Sequence, residues 1–287
     1  MKDQITRRVL NWLEPLSRWV VPIFSWLLKA AAFPQTQKLN WRIYESVKSI
    51  PPQELVDLRE RLERFGEKRA LTPDVIHAWL GHAQRLFLSE EWINRHVSQL
   101  PMQANALDLG PPSLATDYWK EEFPNFLWKN TDWDLRSAWP LPPNSVELIC
   151  CTELIEHLSD PPNDIYNEGF YQSGFQNMLK QSYRVLSPGG IFFGTTPNGA
   201  SIYHLEAVLK GQPPWFFTKH VREYTLVEVS NRIAETGFEL IAIEDVHCLT
   251  VNNWKDYKPI FTLLLSQGFP TSTRGDDLFI VARKPFE

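Results

Sequence analysis

Polar side chains that can bind a ligand or transfer a proton follow three apolar runs in the second half of the chain. The first run, "NALDLG", contains Asp108 and Gly110 at its end. The residues that follow the other two runs are Thr152, Glu153, Glu156 and His157, and Thr196, Pro197 and Asn198. Histidine and carboxylate side chains are the usual general acids and bases of enzymes. We therefore expect a catalytic or binding site where the three runs end.

The elements that must position these side chains alternate between short apolar runs and helical patterns, which is typical of a parallel sheet with crossover helices. The predicted strands are "NALDLG", "FLWKNTDWD", "SVELICCTEL", "IFFGTTPN", "ELIAIEDVHCL" and "DDLFIVARKP", the last two as a hairpin-like pair. Helices are predicted in "FQNMLKQSYRVL" and in "TLVEVSNRIAETGF", where Thr225, Glu228 and Gly237 have the types expected of a capping box and a helix end. Ligands of such sheets bind beyond the carboxyl ends of the strands, where the strand order reverses.

Three segments together resemble class I S-adenosylmethionine-dependent methyltransferases of the small-molecule type. They are "PLPPNSVELICCTELIEHLSDP", "RVLSPGGIFFGTTPN" and "HVREYTLVEVSNRIAETGFEL", and the likeness covers residues 104–284. The resemblance implies an α/β fold with a Rossmann-like methyltransferase sheet, and S-adenosylmethionine as the cofactor. The predicted function is transfer of a methyl group, in particular O-methylation of a small molecule, a glycan or a lipid-linked intermediate.

The resemblance also assigns roles to individual residues. Asp108 and Gly110 would border the methionine end of the cofactor, where a strand-to-helix turn offers backbone N–H groups. Asp134, or Asp132 two residues before it, corresponds to the acid that accepts a hydrogen bond from the adenine amino group. Thr152 would lie beside the sulfonium.

The turn after the first strand departs from the family pattern D-x-G-x-G-x-G. Residues 111–114 are Pro, Pro, Ser and Leu, so no glycine follows Gly110 in this turn. Proline forbids a positive φ and removes an N–H donor, whereas glycine permits close backbone approach to a ligand. Three interpretations follow: an altered but working cofactor pocket, a non-catalytic relative that scaffolds a partner, or a site for another ligand.

The spacing of the elements departs from the family as well. Only one helix and one strand separate Gly110 from "PLPPNSVE", so we expect the sheet to lack one strand–helix unit. The carboxylate that holds the ribose hydroxyls in the family therefore has no clear counterpart, and Asp117 and Glu121 are the nearest alternatives.

The "ELIEHL" stretch carries a further resemblance. Methyltransferases of the ubiquinone pathway and small-RNA 2′-O-methyltransferases bind a divalent ion through E-x-x-E-H and a later histidine. The resemblance implies that Glu153, Glu156, His157 and His220 hold such an ion, with Mg²⁺, Mn²⁺ and Zn²⁺ all compatible. The alternatives are catalysis by Glu156, His157 and His220 as acid or base groups without a metal, and a purely structural cluster.

The first hundred residues predict a helical extension, and we divide the chain into residues 1–100 and a methyltransferase-like domain of residues 101–287. Residues 1–33 are apolar and rich in tryptophan, but charges and prolines interrupt them. Their uncharged run is about half of the roughly 20 residues that a membrane span needs. They either form short helices packed on the domain or on a partner subunit, or lie as an amphipathic segment in a membrane interface.

Composition limits the classes of partner. A net charge of -5 gives no strong attraction to nucleic acid, so we expect no nucleic-acid partner. The 3 cysteines offer no disulfide framework, which indicates a reducing compartment. We predict a cytoplasmic protein, peripheral to a membrane if residues 1–33 lie in the interface. The acceptor molecule and the oligomeric state stay open.

Overall fold

The computed structural model describes residues 52–73, 82–159, 174–248 and 254–286. The helices are α1 (Pro52–Lys68), α2 (Ala83–Val97), α3 (Leu114–Glu122), α4 (Gly174–Val185), α5 (Ile202–Leu209), α6 (Leu226–Thr236) and α7 (Trp254–Ser266), with one 3₁₀ helix (Ile155–His157). The strands are β1 (Asn105–Asp108), β2 (Leu127–Asn130), β3 (Val146–Thr152), β4 (Leu186–Pro197), β5 (Glu239–Val246) and β6 (Asp277–Arg283). Every predicted strand is present, whereas α5 and α7 had no sequence prediction.

The strands form one six-stranded sheet in the order β2-β1-β3-β4-β6-β5. The first four strands are parallel, and β6 runs antiparallel to both β4 and β5. Residues 131–145, between β2 and β3, contain neither helix nor strand. The α/β fold with one strand–helix unit missing is therefore confirmed. The predicted pairing of the last two strands is also confirmed, but α7 lies between them in the chain, so they are not a hairpin.

Both faces of the sheet are covered, which explains the continuous apolar character of β3. Successive side chains point to opposite faces, so Leu148 and Cys150 join one buried cluster while Ile149 and Cys151 join the other. Helices α1 and α2 contribute Leu62, Leu86, Trp92 and Ile93 to the first cluster, and α4 and α6 contribute Met178, Leu179, Val229 and Ile233 to the second. The described helices of the predicted extension therefore belong to the core around the sheet.

The described residues fall into two compact units. The first lies within Ser49–Tyr257 and Ser272–Glu287 and contains the whole sheet, and residues 258–271 belong to the second. Residues 1–33, on which the membrane interpretation depends, lie outside the described residues. Within the described part of the chain, no helix is both long and apolar enough to cross a bilayer. All three cysteines are buried and free.

Helix α6, in the unit that contains the sheet, has both of its ends determined by local sequence. Helix α6 begins after Thr225, whose hydroxyl accepts a hydrogen bond from the Glu228 amide while the Glu228 carboxylate accepts one from the Thr225 amide. It ends at Gly237, whose φ of 96° is accessible to glycine at little cost. The predicted capping box and C-terminal glycine are both confirmed.

Candidate functional site

The carboxyl ends of β1, β3 and β4 lie side by side, as the sequence predicts. Asp108 is paired with Cys150 across β1 and β3, and Thr152 with Thr195 across β3 and β4. The strand order reverses between β1 and β3, which is where ligands bind in open parallel sheets. The polar side chains at this edge form three separate clusters.

The first cluster surrounds Asp108. Its Oδ2 atom accepts hydrogen bonds from Thr116 Oγ1 at 2.5 Å and from Asn130 Nδ2 at 3.2 Å. Asn130 is the last residue of β2 and is paired with Asp108 in the sheet. Burial raises the pKa of Asp108 to about 6, and the two hydrogen bonds oppose that rise.

In the loop after β1, the backbone N–H groups of Gly110 and Ser113 already donate hydrogen bonds within the protein. The Gly110 amide donates to Thr131 Oγ1 at 2.7 Å, and the Ser113 amide donates to Thr116 Oγ1 at 3.1 Å. The two residues between them are prolines and have no N–H group. Gly110 has a φ of 106°, and no atom lies within 4 Å of the position where a Cβ would stand. The loop thus borders open space but offers few amides to a ligand.

Asp108→Asn is expected to stabilise the fold at neutral pH. The raised pKa means that the folded state binds the proton more tightly, so stability is lost as pH rises from the ordinary aspartate value through about 6. The amide avoids this loss, and we expect about 2 kcal/mol more free energy of unfolding at pH 7.5 and little difference below pH ~4. Urea unfolding at both pH values measures this, with the exposed Asp132→Asn as the control. A less stable Asp108→Asn protein at pH 7.5 contradicts the expectation.

The second cluster is built on Arg85, which α2 places over the edge of the sheet. Its Nε atom lies 2.5 Å from Asp277 Oδ2, and its Nη1 atom lies 3.0 Å from Glu153 Oε2. Glu153 Oε1 also accepts a hydrogen bond from Thr195 Oγ1 at 2.9 Å. Burial raises the pKa of Glu153 to about 7 although the charge of Arg85 opposes the rise. One buried cation therefore holds two carboxylates, the fully buried Asp277 and the partly buried Glu153.

Glu153 does not join the other predicted metal ligands. Residues three and four apart share a face only within a regular helix, and the helix here is the three-residue 3₁₀ turn Ile155–His157. Glu153 precedes it with a φ of 52°, a left-handed conformation that is uncommon outside glycine. The chain turns at this residue, and its side chain is paired with Arg85 and Thr195 instead.

A cavity of about 150 Å³ lies beside the second cluster. Its lining residues are His82, Arg85, Leu86, Ser89, Ala115, Thr152 and Glu153. The hydroxyl of Ser89 is buried and has no hydrogen-bond partner. An unpaired buried polar group is unfavourable, so a polar ligand in this cavity would satisfy it. Thr152 thus lies at a cavity on the predicted edge of the sheet.

The third cluster brings together Glu156, His157 and His220, whose ligand atoms all lie within 4.8 Å of one another. Glu156 Oε2 accepts a hydrogen bond from Thr196 Oγ1 at 2.9 Å, but the buried Oε1 atom has no hydrogen-bond partner. The Nε2 atoms of His157 and His220 lie 3.8 Å and 4.0 Å from this Oε1 atom. Burial raises the pKa of Glu156 to about 7.

Glu223 orients the imidazole of His220. Its carboxylate is bonded to His220 Nδ1 through Oε1 and to His204 Nε2 through Oε2, and His204 Nδ1 lies 2.6 Å from Ser201 Oγ. Burial would raise the pKa of Glu223, but the hydrogen bonds from the two histidines lower it. The hydrogen bond with Glu223 holds Nδ1 of His220, so the Nε2 atom of the same ring faces Glu156.

His157 is the most exposed member of the third cluster. Burial and the neighbouring His220 lower its pKa, and a hydrogen bond to the Lys219 backbone opposes that change. The two imidazole rings meet edge to face with centroids 4.8 Å apart. Two imidazoles and one carboxylate converge with no hydrogen bond among them, so these three residues could hold a cation.

The predicted adenine-binding acids lie in the stretch between β2 and β3, just after β2 ends at Asn130. Asp132 and Asp134 are both exposed, and Asp134 pairs with Arg136 at 2.9 Å. Asp117 pairs with Arg69. The residue at the end of β2 is Asn130, whose side-chain amide donates to Asp108. The role of Asp132 or Asp134 stays a prediction.

Sequence reasoning missed Asn130, Arg85, Glu223 and His204. Asn130 lies within the predicted strand "FLWKNTDWD", but no residue pattern shows that the strand ends there. Glu223 follows His220 by three residues, but nothing in a single sequence shows that it also meets His204. Arg85 is distant in the chain from both of its partners, so no local pattern could have paired them.

Comparison with known proteins gives a family match. The family described as "Methyltransferase domain" matches residues 45–243, more than half of the 287-residue chain. No curated protein matches. Solved structures that match include two S-adenosylmethionine-dependent methyltransferases. The protein from Archaeoglobus fulgidus has 15% identity over 72% of this chain and 99% of that chain, with a TM-score of 0.46. The protein from Mesorhizobium loti has 17% identity over 69% of this chain and 99% of that chain, with a TM-score of 0.40. Another is phosphoethanolamine N-methyltransferase 2 of Haemonchus contortus in complex with S-adenosyl-L-methionine. It has 13% identity over 69% of this chain and 53% of that chain, with a TM-score of 0.42.

Proposed function

The chain belongs to the methyltransferase domain family, and from that premise we propose that it transfers the methyl group of S-adenosylmethionine to a hydroxyl group. The acceptor is a small molecule, a glycan or a lipid-linked intermediate. The observation that carries the proposal is the buried Glu156 Oε1 atom, which has no hydrogen-bond partner and is faced by two imidazole Nε2 atoms. Such a convergence is costly in a purely structural cluster but is useful where a hydroxyl must be bound and deprotonated.

The residues of the second cluster fit the amino-acid end of the cofactor. S-adenosylmethionine carries a carboxylate, an ammonium and a sulfonium at that end. The cavity offers the guanidinium of Arg85, the carboxylate of Glu153 and the unpartnered hydroxyl of Ser89 for these charges and donors. Its volume of about 150 Å³ suits this end alone, since drug-sized ligands occupy roughly 300–1,000 Å³. The adenosine would extend along the open side of Gly110.

The third cluster fits a divalent metal ion. Glu156, His157 and His220 would hold it, while Glu223 and the Lys219 carbonyl orient the imidazoles from behind. With Glu153 engaged elsewhere, two nitrogens and one oxygen favour Zn²⁺ or Mn²⁺ over Mg²⁺, which prefers oxygen ligands. When bound, the ion would lower the pKa of an acceptor hydroxyl.

The residues of this chain have positioning roles in the proposed reaction. Thr196 holds Glu156 by a hydrogen bond, and Glu223 holds His220, so the acceptor hydroxyl meets groups that are already oriented. The parallel strands β3 and β4 place Thr152 and Thr196 at the same sheet edge, which brings the cofactor cavity and the third cluster together. Correct alignment of the two reactants supplies much of the rate in such a transfer.

Transfer of labelled methyl groups tests the proposal. The full chain, S-adenosylmethionine labelled in its methyl group and an extract of the organism that encodes the chain should give an alkali-stable labelled product. His220→Ala is expected to reduce labelling about 10²-fold or more, whereas His96→Ala, a histidine of α2 outside the cluster, should leave it unchanged. Labelling that is insensitive to His220→Ala contradicts the assigned site.

A non-catalytic binding or scaffold protein is the second candidate function. The observation in its favour is the loop after β1, where the Gly110 and Ser113 amides are already bonded within the protein. A chain of this kind would give no labelled product with any extract and would not bind the cofactor.

A further inference from the structure

Residues 208–222, which we call the apolar–basic segment, expose large apolar side chains beside cations. Twelve large hydrophobic side chains are exposed in the described part of the chain, and five of them lie in this segment. They are Val208, Leu209, Trp215, Phe217 and Val221. The segment contains Lys210, Lys219 and Arg222 but no Asp or Glu. The acids nearest in the chain, Glu206 and Glu223, lie just outside these bounds.

The loop fixes the two exposed aromatic residues of the segment. Phe216 stacks on Tyr203 of α5 with ring centroids 4.3 Å apart and an interplanar angle of 9°. Its amide also donates to Glu223 Oε1 at 3.0 Å. Trp215 and Phe217, on either side of it, each expose about half of their surface, 50% and 48%. The two rings are therefore held at the surface by the half-buried, stacked Phe216, which lowers the conformational entropy that they would lose on binding.

We infer that the apolar–basic segment docks on an anionic phospholipid bilayer. Exposed Trp and Phe side chains bury their rings at the boundary of headgroups and acyl chains, and Lys and Arg beside them meet lipid phosphates. Lys210 and Arg222 pair with Glu206 and Glu228, but exposed ion pairs contribute little and can be exchanged. Among the described residues no acid pairs with Lys219, whose Nζ atom lies 5.9 Å from the centroid of the Phe217 ring. This cation beside two exposed aromatic rings favours an anionic lipid surface over a protein partner.

Docking would bring the third cluster to the membrane surface. His220 belongs to the segment, and its Nε2 atom lies 4.0 Å from Glu156 Oε1. The hydroxyl that reaches this cluster would then belong to a lipid headgroup, a conclusion that rests on the proposed function. The docking surface itself is independent of methyl transfer.

Vesicle sedimentation of the full chain tests the docking surface. We expect binding to vesicles of equimolar phosphatidylcholine and phosphatidylglycerol and much weaker binding to phosphatidylcholine alone. The double variant Trp215→Ala/Phe217→Ala should bind the mixed vesicles about tenfold or more weakly, because each ring loses roughly 100 Å² of buried apolar area. The matched control is Met102→Ala/Leu127→Ala, which removes two exposed apolar side chains outside the segment and should bind like the wild type.

Three outcomes would overturn the inference. They are a wild type that stays in the supernatant with both vesicles, equal binding to both vesicles, and a double variant that sediments like the wild type. In the third case, the segment would instead be a binding surface for a protein partner or for a soluble acceptor. Because the readout is binding to vesicles, each of these outcomes leaves the proposed methyl transfer standing.

Discussion

Glu156→Gln is expected to lower the rate of methyl transfer about 10²- to 10⁴-fold, without lowering stability. The glutamine carbonyl can still accept the hydrogen bond from Thr196, but the side chain no longer supplies a negative charge between His157 and His220. The rate is measured with labelled S-adenosylmethionine, and metal content is measured on the same preparations. Bound Zn²⁺ or Mn²⁺ should fall with the rate.

The pH dependence of stability separates this effect from misfolding. The pKa of Glu156 is raised to about 7 by burial, so ionisation destabilises the folded state as pH rises towards and above 7. At pH 8 the glutamine variant should therefore be at least as stable as the wild type. Glu235→Gln, at an exposed carboxylate of α6, serves as the control and should change neither rate nor metal content. A rate that survives both Glu156→Gln and chelators would show that no metal ion works at this cluster.

Arg85→Met is expected to destabilise the sheet unit by about 3–5 kcal/mol at pH 8. The buried Asp277 and the partly buried Glu153 would lose their shared cation, and each would have to take up a proton or remain an unpaired anion. Burial already raises the pKa of both carboxyls, so the loss should shrink as pH falls and both become neutral. Urea unfolding at pH 8 and pH 5 measures the difference.

Matched variants make the Arg85 prediction specific. Arg95→Met removes an exposed arginine of the same helix, whose ion pair is with Glu91 in the preceding turn, and should cost less than about 1 kcal/mol. Adding Glu153→Gln and Asp277→Asn to Arg85→Met should recover most of the lost stability, because no buried charge remains. An Arg85→Met protein as stable as Arg95→Met contradicts the assignment of Arg85 as the cation that holds this edge.

The fold was largely predictable because its signals are local. The strands are short apolar runs, as expected for a sheet that is buried on both faces. Helix α6 begins after its capping residue Thr225 and ends at Gly237, and both residue types are recognisable in the sequence. The missing strand–helix unit followed from chain length alone, since residues 131–145 are too few for both elements. Helix α5 was missed because its start signal is only the cap Ser201, in a stretch with no clear apolar period.

The sequence predicted which strand ends carry the polar residues of the site, but not which of these side chains lie close together. Glu156, His157 and His220 converge because a 3₁₀ turn and a distant loop meet, and the positive φ of Glu153 removes that side chain from the group. A helical spacing rule cannot foresee such a turn. The ion pairs of Arg85 join α2, β3 and β6, and therefore depend on the packing of the whole unit.

Isothermal titration of the full chain with S-adenosylmethionine and S-adenosylhomocysteine tests the central claim most directly. Methyl transfer requires that each ligand bind one to one and raise the midpoint of thermal unfolding, even though prolines replace the glycines of the loop after β1. Absence of both heat and thermal shift with both ligands would contradict it, and the chain would then be a binding protein built on a methyltransferase fold.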